Sequence, residues 1–286
     1  MNIEEIIRKA LEEDLGNGDH TSLAIIPPEA SGKSKLLIKE EGILAGVAIA
    51  QQVYRQLDPG IHFEIVINDG SPIKPGDIAF YVSGSSRSIL TGERLALNFL
   101  QRMSGIATAT AKMVKLIEGT GAKILDTRKT TPLLRELEKT AVRLGGGENH
   151  RMGLYDMIMI KDNHLDFAGG ITNAINAVNS YLSKMKPEEF KIQNSKFKIE
   201  IEVRNFRELE EVLSVGNIDR VMLDNFTVPD LSKAVKLING RFETEASGGI
   251  NINNIRQYAE TGVDYISVGA LTHHIKSLDM SLKAVL

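Results

Sequence analysis

The feature that most constrains this fold is the alternation, after residue 122, of short apolar runs with amphipathic stretches. The apolar runs are too short for helices, and the stretches between them have helical periodicity. Such an alternation indicates parallel βαβ units. The strand candidates are AKILDT (122–127), DMIMIK (156–161), FKIEIEV (197–203), RVMLDN (220–225), FETEAS (242–247) and DYISVG (264–269). The helical stretches are LLRELEKTAVRLG (133–145), ITNAINAVNSYLSKM (171–185), FRELEEVLSVG (206–216), VPDLSKAVKLIN (228–239) and NINNIRQYAETG (251–262).

Two architectures fit this alternation, a (β/α) barrel and an open doubly wound sheet. Polar residues or glycines follow nearly every strand: Asp126 to Lys129, Lys161, Glu200 and Glu202, Asp224, Ser247 to Gly249, and Gly269. A barrel builds its active site from all of its strand ends, whereas a doubly wound sheet gathers such residues at one switch point. The distribution favours the barrel, although the six candidates leave it one or two strands short.

The chain before residue 119 has a different pattern of predicted elements. Up to about residue 83 it mixes strand runs at 33–42 and 61–70 with a helical stretch at 45–57 and a turn, strand, turn pattern at 69–84. Residues 87–118 have helical character and contain no proline. Gly92 and Gly105 in this segment indicate breaks or close packing, so we expect two or more helices there.

Composition excludes several classes of function. The formal net charge of −3 gives no global basic field, so nucleic acid is not favoured as a partner. Cysteine is absent, which excludes disulfides, thiolate catalysis and cysteine-ligated metals. The first 19 residues form an acidic amphipathic helix pattern and not a signal peptide, and no apolar run reaches the roughly 20 residues that cross a bilayer. We therefore expect a cytoplasmic protein with no membrane partner.

Two glycine-rich turns follow the last two strands, in EASGGINI (245–252) and SVGALTH (267–273). Each is predicted to open a helix, which leaves backbone N–H groups free to hold an anion. Phosphate sites in barrels recur after the seventh and eighth strands. The alternative is that these glycines only make tight turns. Two such turns at neighbouring strands favour a phosphate site.

Cationic side chains collect at other strand ends. They are Arg128, Lys129, His150, Arg151 and Lys161. A run of charge is usually a solvated face, but these residues follow strands whose ends line a barrel mouth. Such cations would repel each other in an empty cleft. They therefore indicate a ligand with several negative charges.

Carboxylates supply the opposite charge. Alternation along KIEIEV places Glu200 and Glu202 on one face of their strand, and Asp224 ends the next strand. Inward carboxylates are costly unless they are paired or bind a metal. They suit ribose hydroxyls, a Mg²⁺ that carries phosphate oxygens, or a sugar cation, with salt bridges to barrel lysines as the alternative. Together the patterns suit an enzyme that joins a phosphorylated sugar to a multiply charged acid.

A set of motifs between about residues 13 and 274 makes this chain similar to a known family. They are EDLGNGDHTS, EEGILAG, GERLALNFLQRMSGIATAT, DTRKTTP, KTAVRLGGGENHRMGLYD, IKDNH, LDNF, SGGI and AETGVDYISVGALTH. In this order they resemble the quinolinate phosphoribosyltransferase family, also called nicotinate-nucleotide pyrophosphorylase (carboxylating). The resemblance implies that quinolinate and phosphoribosyl pyrophosphate (PRPP) react, with Mg²⁺, to nicotinate mononucleotide, pyrophosphate and CO₂ in de novo NAD synthesis.

The resemblance also implies a fold and an assembly. An N-terminal α/β sandwich domain (1–112) would precede an incomplete parallel α/β barrel of TIM-like type (113–272), with about seven strands. A C-terminal helix (273–286) would return to the first domain. Arg94 of GERLALN would reach the active site of a neighbouring subunit, so a homodimer with shared sites, or a larger assembly, is implied.

Roles of single residues follow from the same resemblance. The two quinolinate carboxylates would be held by Arg128, His150, Arg151 and Lys161, together with the neighbouring Arg94. PRPP would be held by Lys129, Glu202, Asp224, Ser247, Gly248, Gly249, Gly269 and His273. The catalytic residues would be Lys129, Lys161, Glu202 and Asp224, with Glu202 and Asp224 as the Mg²⁺ ligands.

Two departures from the family pattern and two alternatives remain. Arg204 stands where relatives often carry an acid or a small polar residue, and Arg102-Met103 is an uncommon pair before SGIAT. A transferase of the same scaffold could act on another acid, but several cations favour a dicarboxylate. A non-catalytic phosphosugar or dicarboxylate sensor could dispense with Lys161, Glu202 or Asp224, and all three are present.

Overall fold

The computed structural model describes residues 2–185 and 197–285 of the chain. The chain divides into two compact units. The first comprises Met1–Ala111, Thr130–Gly147 and Leu271–Leu286, and the second comprises Lys112–Lys129 and Glu148–Ala270. Segment 130–147 thus groups with the first unit, which differs from the predicted continuous domain over 113–272.

The first unit is built on an antiparallel sheet of order β12-β1-β5-β3, with a second, two-stranded sheet of β2 and β4. Its elements are α1 (Ile3–Leu15), α2 (His20–Ile25), β1 (Ser31–Ile38), β2 (Gly42–Ile43), α3 (Val47–Leu57), β3 (His62–Ile65), β4 (Pro72–Ile73), β5 (Ile78–Ser85), most of α4 (Ser86–Leu116), α5 (Arg135–Leu144), nearly all of α11 (Ala270–His273) and β12 (Met280–Ala284). Side chains of Leu36, Ile38, Tyr54, Phe80 and Leu100 are buried in its core.

The segment that was predicted to contain two or more helices is the single helix α4. A Cβ atom on Gly92 would lie 2.7 Å from the Tyr54 ring, and one on Gly105 would lie 3.0 Å from the Ile275 side chain. Both glycines therefore allow close packing and do not break the helix. Of the two expectations for them, close packing is confirmed and breaks are wrong.

The predicted C-terminal helix is also wrong, because residues 280–284 form the edge strand β12. This strand pairs antiparallel with β1, with Leu282 opposite Leu36 and Met280 opposite Ile38. Met280 and Leu282 are buried while the neighbouring Lys283 is exposed, which is the period-two pattern of a strand. Pairing with a distant strand overrides a weak helical propensity.

The second unit is built on a parallel sheet of order β6-β11-β10-β9-β8-β7. Its elements are β6 (Lys123–Leu125), β7 (Ile158–Ile160), α6 (Asp162–Ala168), α7 (Ile171–Lys184), β8 (Ile199–Val203), α8 (Phe206–Val215), β9 (Arg220–Asp224), α9 (Val228–Ile238), β10 (Glu243–Ser247), α10 (Ile255–Ala259) and β11 (Tyr265–Ser267). All six predicted strands are confirmed. The short helix α6 was not predicted.

A seventh strand position lies beside β6. Leu125 and Glu148 form an isolated parallel bridge, in which the Glu148 N–H donates to the Ile124 carbonyl at 2.8 Å. Within the described residues this adds one position to the six strands of the sheet, as expected for an incomplete barrel. The sequence GGGENH has no apolar run, so its local pattern gives no strand signal.

Local sequence signals fix where the helices of this unit begin. The side chains of Asn205 and Thr227 accept hydrogen bonds from the N–H groups of Glu208 and Asp230 at the starts of α8 and α9. Every residue of β8 is buried, as expected for a parallel strand covered on both faces. Polar side chains on the inner face must then pair with each other or with a ligand. Among the described residues, every helix is too short or too polar to cross a bilayer.

Candidate active site

The carboxyl end of β6 carries the first two cations of the site. Arg128 and Lys129 are exposed, and the Lys129 N–H donates to Thr127 Oγ1 at 3.0 Å. Asp126, the residue that precedes this turn, is fully buried. The strand end therefore anchors the turn while the two cationic side chains stay accessible.

The ends of β7, β8 and β9 bring together three of the predicted catalytic residues. Lys161 Nζ lies 3.5 Å from Glu202 Oε2. Burial raises the pKa of Glu202, the charge of Asp224 adds to this effect, and Lys161 opposes it. Asp224 accepts a hydrogen bond from the Asn225 side chain at 2.5 Å. These contacts make a mixed-charge centre with two carboxylates that would gain from a cation or from hydroxyl donors.

The glycine turn after β10 is held against the end of β9. The Asn225 N–H donates to the Ser247 carbonyl at 2.8 Å. Gly248 has φ +94°, and a Cβ there would lie 2.8 Å from the Asn225 backbone nitrogen, so only glycine fits. Gly249 has φ +64° and would have nothing within 4 Å of a Cβ. The turn therefore presents open backbone at Gly249.

The helices after both glycine turns differ from the prediction. After SGGI the helix α10 begins only at Ile255, and it is five residues long. After Gly269 the helix α11 begins at once but ends at His273 after four residues. Any phosphate would therefore meet loop N–H groups and not the start of a long helix. His273 is exposed and belongs to the first unit, so its place in the phosphate cradle stays a prediction.

His150 lies inside the second unit. Its Nε2 is 2.9 Å from Glu200 Oε2 and 3.5 Å from Glu245 Oε2. Its Nδ1 accepts the Arg151 N–H at 2.7 Å. Both ring nitrogens are thus engaged by protein groups. The predicted role of His150 as a direct ligand of substrate carboxylates stays a prediction.

Charges around the GGGENHRMG segment shift two pKa values. Burial by itself lowers the pKa of His150, but its close contacts with the carboxylates of Glu200 and Glu245 outweigh burial and raise the pKa to about 9. Burial and the nearby guanidinium of Arg128 both lower the pKa of Arg151. Arg128 and Arg151 therefore act on the same region, and an anion between them would relieve their repulsion.

The remaining predicted residue, Arg94, is exposed on α4 in the first unit. This position agrees with a role outside its own chain, which stays a prediction.

Both departures from the family pattern have local partners. The Arg204 guanidinium bonds to Glu208 at 2.8 Å and lies 3.7 Å from Asp166, so its charge is balanced on the surface. Arg102 bonds to the buried Glu138 at 2.6 Å and to Thr131 Oγ1 at 2.7 Å. Arg102 thereby fixes α5 and the start of segment 130–147 to α4.

Sequence reasoning missed three residues that shape the site: Asn225, Arg220 and Glu245. Asn225 has a left-handed φ of +56° and contacts both Asp224 and the glycine turn. Arg220 lies four positions before Asp224 on β9, Glu245 lies two positions before Ser247 on β10, and both Arg220 and Glu245 are buried. The period-two pattern of RVMLD and ETEAS could have placed both inside the barrel.

Comparisons with known proteins agree with one another. Residues 19–104 and 106–283 match the family models for the N-terminal and C-terminal domains of quinolinate phosphoribosyl transferase. The chain is 46% identical, over 99% of its length and 82% of the relative's, to quinolinate phosphoribosyltransferase [decarboxylating] 1b of Nicotiana tabacum. It is 39% identical, over 100% of its length and 94% of the relative's, to a probable nicotinate-nucleotide pyrophosphorylase [carboxylating] of Bacillus subtilis. The solved nicotinate-nucleotide pyrophosphorylase of Francisella tularensis is similar with TM-score 0.90 and 40% identity, covering 99% of this chain and 96% of that one.

Proposed function

Because this chain belongs to the quinolinate phosphoribosyltransferase family, we propose that it transfers phosphoribosyl from PRPP to quinolinate with loss of CO₂. The products are nicotinate mononucleotide, the pyridine nucleotide of de novo NAD synthesis, and pyrophosphate. The observation that carries the proposal is the mixed-charge centre at the strand ends, where Lys161 Nζ lies 3.5 Å from Glu202 Oε2, with the exposed Arg128 after β6. Several cations beside carboxylates favour a sugar phosphate together with an acid that has more than one carboxylate, because an arginine can hold a carboxylate bidentately.

The acid end of the site consists of Arg128, Arg151 and Lys161. Arg94 from the second subunit of a homodimer completes it, and its exposure on α4 supports this role. These cations hold the two quinolinate carboxylates and thereby aim the ring nitrogen at the sugar.

The sugar phosphate end of the site consists of the two glycine turns. Loop N–H groups of Ser247, Gly248, Gly249 and Gly269, with His273, hold the 5′-phosphate. Glu202 and Asp224 bind the ribose hydroxyls, and Lys129 neutralises the pyrophosphate. The open backbone at Gly249 supports this placement.

Mg²⁺ fits the same carboxylate pair. Glu202 and Asp224 end neighbouring strands and offer the hard oxygen donors that Mg²⁺ prefers. Burial raises the pKa of Glu202, and the charge of Asp224 adds to this effect, so a cation bound between them would stabilise the ionised pair. When bound, the ion would supply charge neutralisation for the pyrophosphate oxygens.

The reaction then needs no nucleophilic side chain. Cleavage of the bond to pyrophosphate runs ahead of attack, while the carboxylates of Glu202 and Asp224 stabilise the oxocarbenium-like sugar. The ring nitrogen of quinolinate, whose carboxylates are held by Arg128 and Arg151, attacks the anomeric carbon, and the ring becomes a pyridinium. The electron pair of the adjacent carbon–carboxylate bond moves to the ring as CO₂ leaves, and a proton replaces the carboxylate.

A substrate assay tests the proposal. Purified protein is incubated with PRPP and either quinolinate or nicotinate, with and without Mg²⁺, and mononucleotide and CO₂ are followed together. We expect equal amounts of both products from quinolinate, only with Mg²⁺, and no turnover of nicotinate. Turnover of nicotinate, or of neither acid, would contradict the assignment of quinolinate as the substrate.

The cytoplasmic location stays a prediction.

A further inference from the structure

A row of buried charges crosses the interior of the parallel sheet. Glu200 on β8, Arg220 on β9 and Glu245 on β10 are each at least 90% buried. The strand register sets Glu200 and Glu243 on either side of Arg220. Arg220 Nη1 lies 3.0 Å from Glu245 Oε2, and its Nη2 lies 3.0 Å from Glu243 Oε2. The Arg220 guanidinium therefore ties β9 to β10 inside the unit.

His150 joins this row to the mouth of the site. Besides the contacts of its ring with Glu200 and Glu245, its backbone N–H donates to Asp126 Oδ1 at 2.9 Å. The same ring accepts the N–H of Arg151. Asp126, directly after β6, thus holds the backbone of His150, and Glu200 on β8 and Glu245 on β10 hold its ring.

The charges of the row favour an ion network over a metal centre. Three carboxylates, Glu200, Glu243 and Glu245, face Arg220 and His150, and Lys198 also pairs with Glu243, so the charges balance when His150 carries a proton. Buried charges are tolerated when they are paired in this way. A divalent ion held by His150, Glu200 and Glu245 would stand beside the Arg220 guanidinium and be repelled by it.

We propose that Glu200, Arg220 and Glu245 are positioning residues, which hold His150 and through it aim Arg151 at a substrate carboxylate. The inference rests on the proposed function, in which Arg151 binds quinolinate. The inference gives a role to the buried residues Glu200, Arg220 and Glu245, none of which is among the residues proposed to hold PRPP.

The first test is the variant Glu245→Gln, with Glu243→Gln as the matched control. Both glutamates lie on β10 and pair with Arg220, but Glu245 is the one placed against His150. For Glu245→Gln we expect KM for quinolinate to rise about ten- to a hundredfold, because small misplacements of an orienting group have effects of this size. KM for PRPP should stay within about twofold of wild type, and Glu243→Gln should leave both values within about twofold. An equal rise of both KM values in Glu245→Gln would contradict a positioning role.

A double-mutant cycle separates positioning from general damage. In an Arg151→Gln background, Glu245→Gln should add little, about twofold at most, because the side chain that it positions is already shortened. Additive effects would overturn the proposal. If Glu245→Gln does not fold, Glu200→Gln serves in the same cycle, since Glu200 contacts the same ring nitrogen.

Two further measurements distinguish the ion network from a failure of the proposed function and from a metal centre. The wild-type enzyme is assayed first with quinolinate, so that absence of turnover identifies failure of the proposed function and not of the network. Metal content of the purified wild-type protein and of His150→Gln is measured by elemental analysis. About one equivalent of a transition metal in wild type that is lost in His150→Gln would replace the ion network with a metal centre. Equal, substoichiometric metal in both supports the network.

Discussion

At the residue scale, the site is a set of cations whose partners differ in kind. Arg128 and Lys129 are exposed, Lys161 contacts Glu202, and His150 is enclosed by the protein's own carboxylates. Side chains of the same charge therefore lie in different surroundings. Arg128 and Lys129 are exposed after the end of β6, whereas His150 is buried directly before Arg151.

Removal of the Arg128 guanidinium should reduce quinolinate turnover strongly. Loss of one charge-assisted bidentate contact costs about 2–4 kcal/mol, which corresponds to a loss of about thirty- to a thousandfold in kcat/KM. Steady-state kinetics of Arg128→Ala measure the effect. Arg8→Ala is the control, because Arg8 is an exposed arginine of α1 that pairs with Glu12. Near-normal quinolinate kinetics in Arg128→Ala would contradict its assignment.

His150 should make the stability of the protein depend on pH above neutrality. Its pKa is raised from 6.5 to about 9 by Glu200 on β8 and Glu245 on β10, with Arg220 of β9 beside them. Between these pH values the folded state keeps a proton that the unfolded state releases, so its stabilisation is full below pH 6.5 and is lost toward pH 9. We expect Tm to fall over this window in wild type, and to fall less in His150→Gln. Parallel curves for the two proteins would show that His150 is not the group responsible.

At the element scale, the strand ends and the turns after them decide the geometry. The left-handed Asn225 bonds the end of β9 to the turn after β10, and it lies between the carboxylate Asp224 and the glycine turn. Asp224 and the glycine turn after β10 are therefore both held by contacts with Asn225.

Gly248→Ala tests this arrangement, with Gly249→Ala as its matched control. Both glycines have positive φ, but only a Cβ at Gly248 meets Asn225. A strained φ costs about 1–3 kcal/mol in either variant. Gly248→Ala should in addition displace Asn225 and raise KM for PRPP several-fold more than Gly249→Ala does. Equal kinetics for the two variants would show that the contact with Asn225 does not matter for PRPP.

At the scale of the whole molecule, the exposed Arg94 bears on assembly. If each site takes Arg94 from the other subunit of a homodimer, Arg94→Ala and Lys129→Ala should complement each other. Each mixed dimer then has one intact site. Equal co-expression of the two inactive variants should restore about one quarter of wild-type activity, since about half of the dimers are mixed and half of their sites are intact. Absence of recovery in mixed dimers, isolated by two affinity tags, would place Arg94 outside the shared site.

The sequence by itself determined the parts of this protein that depend on local pattern. The alternation after residue 122 predicted all six strands of the parallel sheet, and the ordered motifs predicted the family that the family models confirm. The carboxyl ends of parallel strands fall on one edge of a sheet, so Lys161, Glu202 and Asp224 could be brought together without coordinates.

Only the tertiary structure decided what depends on contacts between distant segments. The pairing of β12 with β1 made a strand of a predicted helix, and packing against Tyr54 and Ile275 kept α4 continuous through its glycines. His150 turned inward because Glu200 and Glu245, 50 and 95 residues away along the chain, meet in the interior of the barrel. A local pattern gives the face of a strand on which a charge lies, but the partner of that charge depends on strand register, which is set by the packing of the whole unit.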